Sequence, residues 1–352
     1  MIFNKELISN IAQNNNITMV GVIPKEALLK IRTNIKYLKE WQLLDFAADM
    51  QYMKKNADQF LEVADWVKSV VILGFNYPAL STPAIVPKGF GRVARYALGR
   101  DYHKVIPSIS KKIVEELEKT TDKKIQYRAT TDALPFLERA VANLSGLGEI
   151  GKNSMLIQKA VGSFFLIGEI FLDIEIEDND PGIFIQKTPG TICKSCVTCI
   201  TRCPTQAIVK EGVIDAKKCI SYLTIEKRGV FSRWEESAIG SWLFGCDICQ
   251  EVCPFNAVEI KTKKQQTHPD FNSRYKEGLI SLKQILSIKS DEEYLKQFAG
   301  TPIMRAKREG LIRNALCVAK NTNSVQLFKD EIITLLSDNN RIIKETAEQI
   351  LS

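Results

Sequence analysis

Eight of the nine cysteines in this 352-residue chain fall between Cys193 and Cys253. A chain of this length can bury a core without disulfide staples. Cysteines clustered in this way read as metal ligands. The ninth, Cys317, stands apart in a helical stripe beside Leu316 and Val318 and reads as a buried structural thiol.

The spacing narrows the metal. Cys193-x2-Cys196-x2-Cys199-x3-Cys203-Pro204 has the bacterial ferredoxin pattern, in which three thiolates hold one cubane and the fourth ligates another. Cys246-x2-Cys249-x3-Cys253-Pro254 repeats it with one member missing, and Cys219 can supply that member. Cys193, Cys196, Cys199 and Cys253 then form one set, and Cys203, Cys219, Cys246 and Cys249 the other. Two [4Fe-4S] clusters use all eight. Structural zinc is the competing reading, but zinc knuckles contribute ligands in pairs, and a contiguous run of this kind is poorly explained by them.

Composition places the chain among globular proteins, at 45% hydrophobic and 25% charged residues. The longest apolar stretch, Ser163 to Ile174, is too short to span a bilayer and carries Glu169 and Asp173. The first residues show no apolar core or cleavage site, so a cytoplasmic location is expected, with no membrane association. The net charge of +7 is mildly basic. From residue 261 onward there are 16 Lys and Arg against 11 Asp and Glu, which is compatible with a polyanionic partner.

Apolar runs at Ile17–Ile23, Ser69–Phe75, Ile125–Thr130, Ser154–Ile157 and Phe164–Ile174 predict buried strands. Helical patterns lie between them, one opening at Pro24, one over about 108–119 and one over Pro135–Leu144. This alternation predicts an α/β domain with a helix-covered sheet over 1–175. Glu175–Pro189 and Lys261–Ser273 read as linkers. They delimit a ferredoxin-like domain over 176–273 and a tail over 274–352. Three amphipathic stripes in the tail, through Ile303–Ala319, Leu327–Leu336 and Ile342–Leu351, suggest a HEAT-like helical repeat.

Gly146-x-Gly148-x-x-Gly151 matches a dinucleotide fingerprint, but it follows a predicted helix and precedes a predicted strand, the reverse of what that fingerprint needs. A tight turn with close backbone approach is the expectation. Just before it, the strand ending at Thr130 delivers Asp132 to a sheet edge, a common position for catalytic groups and also for a simple helix cap.

Taken together, the motifs resemble the epoxyqueuosine reductase family. The matching segments are Arg95-Tyr96-Ala97-x-Gly99-Arg100-Asp101-Tyr102-His103; Asp132-x-x-Pro135-x-x-Glu138-Arg139; Gly146-x-Gly148-x-Ile150-Gly151-Lys152-Asn153; Ser221 to Glu226; and Phe244-Gly245-Cys246-Asp247-x-Cys249-Gln250. The resemblance spans nearly the whole chain. It implies a cobalamin-binding catalytic domain fed by the two clusters, a tRNA anticodon stem-loop as substrate, and Asp132 as proton donor. It also implies that Arg95, Asp132, Asn153, Ser221, Cys246 and Asp247 lie in segments touching cobalamin. The chain departs from the family at Phe60–Val63, where members commonly carry Arg-x-Asp-Pro. Two further departures are Leu134 in place of a small residue and Glu149 in place of Trp.

The chemistry is coherent. Reductive opening of an epoxide takes two electrons and two protons, and cubane clusters pass electrons singly. A two-electron cofactor is therefore required, with the protein supplying placement and a proton. To donate, Asp132 must be protonated, so burial is expected to hold it in that form. Neither His103 nor His268 sits in an Asp-x-His-x-x-Gly motif, so no histidine ligand to cobalt is expected. Arg305, Lys307, Arg308 and Arg313, with Lys227 and Arg228, are expected to face tRNA phosphates. The reductant is expected to be a separate protein, and the chain a monomer. A dehalogenase-like reductase of a small molecule and a ferredoxin-type electron carrier are the competing readings; the carrier would have no use for Asp132.

Overall fold

The computed structural model describes residues 3–27, 64–78, 83, 85–121, 123–132, 136–177, 188–257 and 267–352. Phe60–Val63, Leu134 and most of the helical pattern after Pro24 lie outside the described residues.

The N-terminal part runs α1 (Lys5–Asn14), β1 (Met19–Pro24), β2 (Ser69–Asn76), β3 (Phe90–Val93), α2 (Tyr102–Thr121), β4 (Tyr127–Thr130), α3 (Glu138–Leu144) and β5 (Phe165–Leu172). Asn4 caps α1, its side chain accepting from the Leu7 N–H at 2.9 Å. Four strands form one sheet in the order β1-β2-β5-β4. All eight residues of the central β2 are buried. On one face, Val71, Leu73 and Ile170 pack against Ile8 of α1 and Ile106 and Ile113 of α2. On the other, Ile72 and Phe171 pack against Val141 and Leu144 of α3.

Every pairing in this sheet is antiparallel. The expected α/β domain is therefore α+β in character. An uninterrupted apolar run reports that both faces of a strand are covered; it does not carry the strand's direction.

The remainder runs α4 (Thr198–Arg202), α5 (Ile220–Ile225), β6 (Trp242–Phe244), α6 (Ile248–Glu251), β7 (Leu279–Ser281), α7 (Asp291–Phe298), α8 (Lys307–Asn321), α9 (Lys329–Leu335) and α10 (Arg341–Leu351). A second sheet, β6-β3-β7, takes one strand from each of the three sequence segments. One continuous core follows from it, joining Val93 and Leu98 to Leu223, Phe244, Ile280, Leu316 and Ile343. The end of the second predicted linker is also tied down. Phe271 is buried edge-on to Phe75 with ring centroids 6.4 Å apart, and the Asp270 carbonyl accepts from the Arg100 N–H at 2.8 Å.

The three tail stripes become α8, α9 and α10. Ile303 and Ala306 instead occupy a 3-10 turn, Pro302–Ala306, which gives way to α8 at Lys307, its first residue, at φ 61°. The expected basic face does not form as drawn. Arg313 is only 1% exposed, and Arg308 is buried against Asp338. Arg305 pairs with Glu226. Cys317 is buried in the core, and burial pushes its thiol up to about 12.

Candidate active site and cluster centres

The two cysteine runs fold against one another, α4 packing on α6. Their thiols sort by proximity. Cys199 is pushed up to about 11, first by burial and then by Cys193, Cys253 and Cys196. Cys253 is likewise raised by burial, with Cys193 and Cys196 adding to it. The second group forms in the same way. Cys246 is raised by burial and then by Cys249 and Cys219, while Cys219 is raised by burial and by Cys203. Cys249 feels Cys219 and Cys203 within its own group and Cys199 across the gap. These mutual influences run largely along the two sets read from spacing, although among the described residues no three thiols already stand in the arrangement of a metal site. Buried thiols that raise one another's pKa are costly as thiolates unless a cation joins them. This donor set fits two iron–sulfur clusters.

Backbone and hydroxyl groups surround the sulfurs. The Lys152 N–H donates to Cys193 Sγ at 3.5 Å, and the Ala207 N–H to Cys203 Sγ at 3.3 Å. Lys152 itself is buried, its ammonium reaching the Lys194 carbonyl and Glu211, both at 2.8 Å. It follows the glycine turn. Gly146, at φ 76°, succeeds α3, and a Cβ on Gly148 would lie 2.7 Å from the Ile157 carbonyl oxygen. The turn closes a short hairpin, Glu149–Ile150 with Leu156–Ile157, and Glu149 stands on its first strand. These glycines fold the chain back on itself, and a helix precedes them where a dinucleotide site needs a strand.

Asn153, buried, donates from Nδ2 to the Cys249 carbonyl at 3.2 Å. Thr224 carries Ser221's helix to Cys246: its hydroxyl accepts from the Gly245 N–H at 2.9 Å. Asp247 is buried, and its Oδ2 accepts from the Arg95 N–H at 2.8 Å. Burial raises the Asp247 carboxyl to about 6 against the opposing pull of Arg95. Arg95 is 4% exposed, and its guanidinium lies 4.2 Å over the Phe164 ring. It reaches Glu251 at 3.4 Å, but its Nε and Nη1 have no partner among the described residues. Buried, unsatisfied donors of this kind suit a ligand rich in carbonyl or phosphate oxygens. Cobalamin offers both, so the residues present fit it.

Tyr96 links this region to the acid. Burial raises its hydroxyl first, followed by Asp132 and then Asp247. Its ring stands edge-on to Tyr102 at 6.1 Å. The Tyr102 hydroxyl donates to Asp132 Oδ2 at 3.0 Å. His103 stacks on Tyr102 at 4.1 Å and bonds Asp101 at 2.9 Å.

Asp132 is exposed, contrary to the expectation of burial. Its neighbouring acids are less exposed: Glu138 is half-buried and Glu169 buried. Glu138 is raised to about 8 by burial and by Asp132, and it accepts from the Asp132 N–H. Glu169 is fully buried, with no partner for either oxygen among the described residues, and is raised by burial and then by Glu138 and Asp132. Sequence reasoning passed over all three of Tyr102, Glu138 and Glu169. Two of them stand inside motifs quoted above, and the third is an acid within an apolar run.

Comparison with known proteins sets this geometry in a family. Residues 192–256 match the family described as a 4Fe-4S double cluster binding domain. Residues 59–133 match that described as Epoxyqueuosine reductase QueG, DUF1730. The epoxyqueuosine reductase of Xanthomonas campestris is 36% identical over 286 residues, 79% of this chain and 77% of its own. A crystal structure of an epoxyqueuosine reductase with an epoxyqueuosine-modified tRNA stem loop aligns with a TM-score of 0.81 at 24% identity. It covers 99% of this chain and 89% of the other. The Bacillus subtilis epoxyqueuosine reductase, solved with its aspartate-bearing catalytic loop swung out of the active site, aligns at 0.79 and 24% identity. That match covers 98% of this chain and 89% of the other. With paired cysteine sets, an acid at the sheet edge and a curated relative aligned over most of both lengths, this chain belongs to the epoxyqueuosine reductase family of oxidoreductases.

Proposed function

We propose that this protein reduces epoxyqueuosine to queuosine in the anticodon loop of tRNA, with Asp132 as the proton donor. The observation that carries the reading is the continuity from acid to cluster. Asp132 meets Tyr102, Tyr102 meets Tyr96, and Tyr96 feels both Asp132 and Asp247, which is next to Cys246. An acid without a neighbouring redox centre, or clusters without an acid, would fit a simpler protein.

Division of labour follows the sequence segments: catalysis and cobalamin binding in 1–175, two [4Fe-4S] clusters in 176–273, and a HEAT-like tRNA-binding tail in 274–352. Cys193, Cys196, Cys199 and Cys253 hold one cluster, and Cys203, Cys219, Cys246 and Cys249 the other. Arg95, Asp132, Asn153, Ser221, Cys246 and Asp247 border the corrin. When bound, the clusters and cobalamin supply the two electrons. Arg95, with two nitrogens unpaired among the described residues, is the residue that orients the cofactor. Asp132 gives its proton to the epoxide oxygen as the C–O bond breaks, and Tyr102 fixes the carboxyl that gives it. The exposure of Asp132 suits a surface that admits a splayed nucleotide. No histidine binds cobalt in this reading, and an imidazole nitrogen hyperfine pattern in the Co(II) spectrum would contradict it. We place the protein in the cytoplasm as a monomer reduced by a separate protein. Among the described residues, no helix is long and apolar enough to cross a membrane.

The test begins with anaerobic reconstitution. About eight irons and one cobalt per chain are expected after desalting. Asp132→Asn should then keep both metals and lose roughly 10²–10⁴ in turnover of epoxyqueuosine tRNA. Unchanged turnover in that variant would remove Asp132 from the mechanism.

A further inference from the structure

Asp132 sits at φ 48°, in the left-handed region that an L-residue keeps only where its surroundings impose it. Its carboxyl and its backbone are held by different residues. The Tyr102 hydroxyl takes Oδ2, and Glu138 Oε1 takes the N–H. The residue before it is anchored as well, the Thr131 hydroxyl donating to the Ile167 carbonyl at 2.6 Å. Glu138 is partly buried at the start of α3, and Glu169 lies behind it on β5, opposite Thr130. A carboxylate brought this close to two other acids carries an electrostatic cost. What it gains in the structure is the bond to the Asp132 backbone.

We propose that Glu138 is the positioning residue for Asp132. It fixes the left-handed turn in which the Asp132 carboxyl meets Tyr102, and it acts on the reaction only through Asp132. The inference rests on the reading of Asp132 as proton donor. It adds no chemical step: two electrons and two protons still convert the epoxide to an alkene and water.

Three variants test it. Glu138→Ala removes the acceptor, Glu138→Asp draws it back by one methylene, and Glu138→Gln keeps an oxygen that can accept the same N–H. The Ala and Asp variants are expected to lose about 10- to 100-fold in kcat, as misplacement of a catalytic group by an ångström does. KM for tRNA should hold, because Glu138 bonds Asp132 and not the substrate. The Gln variant should recover most of the rate. In single-turnover reactions on an Asp132→Asn background, Glu138→Ala should cost nothing further. A Gln variant as slow as Ala, or an undiminished penalty in the double variant, overturns the proposal.

Amide hydrogen exchange over residues 128–132 reads the hold without turnover. Exchange should accelerate in the Ala and Asp variants and stay at the wild-type rate with Gln. If Asp132→Asn proves fully active, the donor reading fails, and this exchange measurement still decides whether Glu138 holds the turn. Should the Ala variant not fold, the Asp and Gln variants carry the same comparison, and wild-type exchange and turnover with Asp would refute it.

Discussion

Two buried charged regions of this molecule have opposite accounts of their hydrogen bonds. Arg313, on α8, is buried against the cluster segment. Its Nη1 donates to the carbonyls of Lys227 and Gly229, both at 2.8 Å. Its Nη2 reaches Leu223 and Asn314, its Nε reaches Asn314, and its plane lies 3.8 Å over Phe231. Burial lowers its pKa to about 10, which still leaves it charged at neutral pH. At the other end, among the described residues, Glu169 has two unpartnered oxygens and Arg95 two unpartnered nitrogens. A buried charge whose bonds are complete is holding the fold together. One whose bonds are half made or absent is open to a further partner; among the described residues Arg95 and Glu169 each leave two atoms unpaired and border the proposed reaction site, whereas Arg92 and Arg308 lack a partner only at Nε.

The largest effect should come from breaking the complete case. Arg313→Met leaves the Leu223, Lys227 and Gly229 carbonyls without their donor, at a cost in stability of about 1–3 kcal/mol for each buried acceptor left unsatisfied. Denaturant unfolding of the anaerobic protein measures it. A loss below about 1 kcal/mol would mean that the satisfied arginine is dispensable, and the contrast between the two regions would collapse.

Arg95 should behave in the opposite way. Arg95→Met removes a charge whose bonds are half made, so little stability should be lost without cofactor. Cobalamin affinity is expected to fall roughly 10- to 100-fold, the loss of one charge-assisted contact of about 1.5–3 kcal/mol. Equilibrium titration followed by corrin absorbance reads this directly. Equal affinity in both proteins would assign the orphan nitrogens to something other than the cofactor.

This contrast also explains what the sequence could reveal. The cysteine segment was legible because cluster ligation is written in spacing, and residues 192–256 match a 4Fe-4S double cluster binding domain. The strands over Met19–Pro24, Ser69–Asn76 and Phe165–Leu172 were legible because they are predominantly apolar. Their antiparallel order was not, since burial on both faces looks the same in either direction. Asp132 could be placed at a strand's end, but its exposure depends on how α3 and the β3 segment fold around it. Arg308 and Arg313 were misread for a similar reason. Helical spacing shows which residues share a face, and the carbonyls that bury Arg313 belong to a segment more than 80 residues away.

A smaller effect sharpens the comparison at Glu169. Its folded-state pKa is raised above the ordinary 4.5, so between that value and its folded value the folded protein binds more protons than the unfolded chain. Stability is therefore greatest below 4.5 and declines as pH rises. Glu138 contributes with the same sign up to about 8. Glu169→Gln removes the Glu169 share, so its melting temperature should fall less than wild type as pH rises above 4.5. Calorimetry at matched ionic strength separates the two curves, and parallel curves would show that Glu169 is satisfied in solution.

The smallest effect concerns a charge that is not buried. Lys307 is exposed at the joint between the 3-10 turn and α8, whereas Arg308 beside it is locked to Asp338. Of these two neighbours, only Lys307 is placed to meet a tRNA phosphate from solution. Lys307→Ala keeps a side chain with the same backbone constraint at φ 61°, so folding should be untouched. If it meets one phosphate, the slope of log affinity for tRNA against log salt should shrink by about 0.7–0.9. Arg308, already spent on Asp338, has no charge to offer a phosphate, so its replacement should change stability and leave that slope alone. A slope that responds to Arg308 and not to Lys307 would mean that the tail rearranges on meeting RNA, because only an opened Arg308–Asp338 pair could release that arginine to a phosphate.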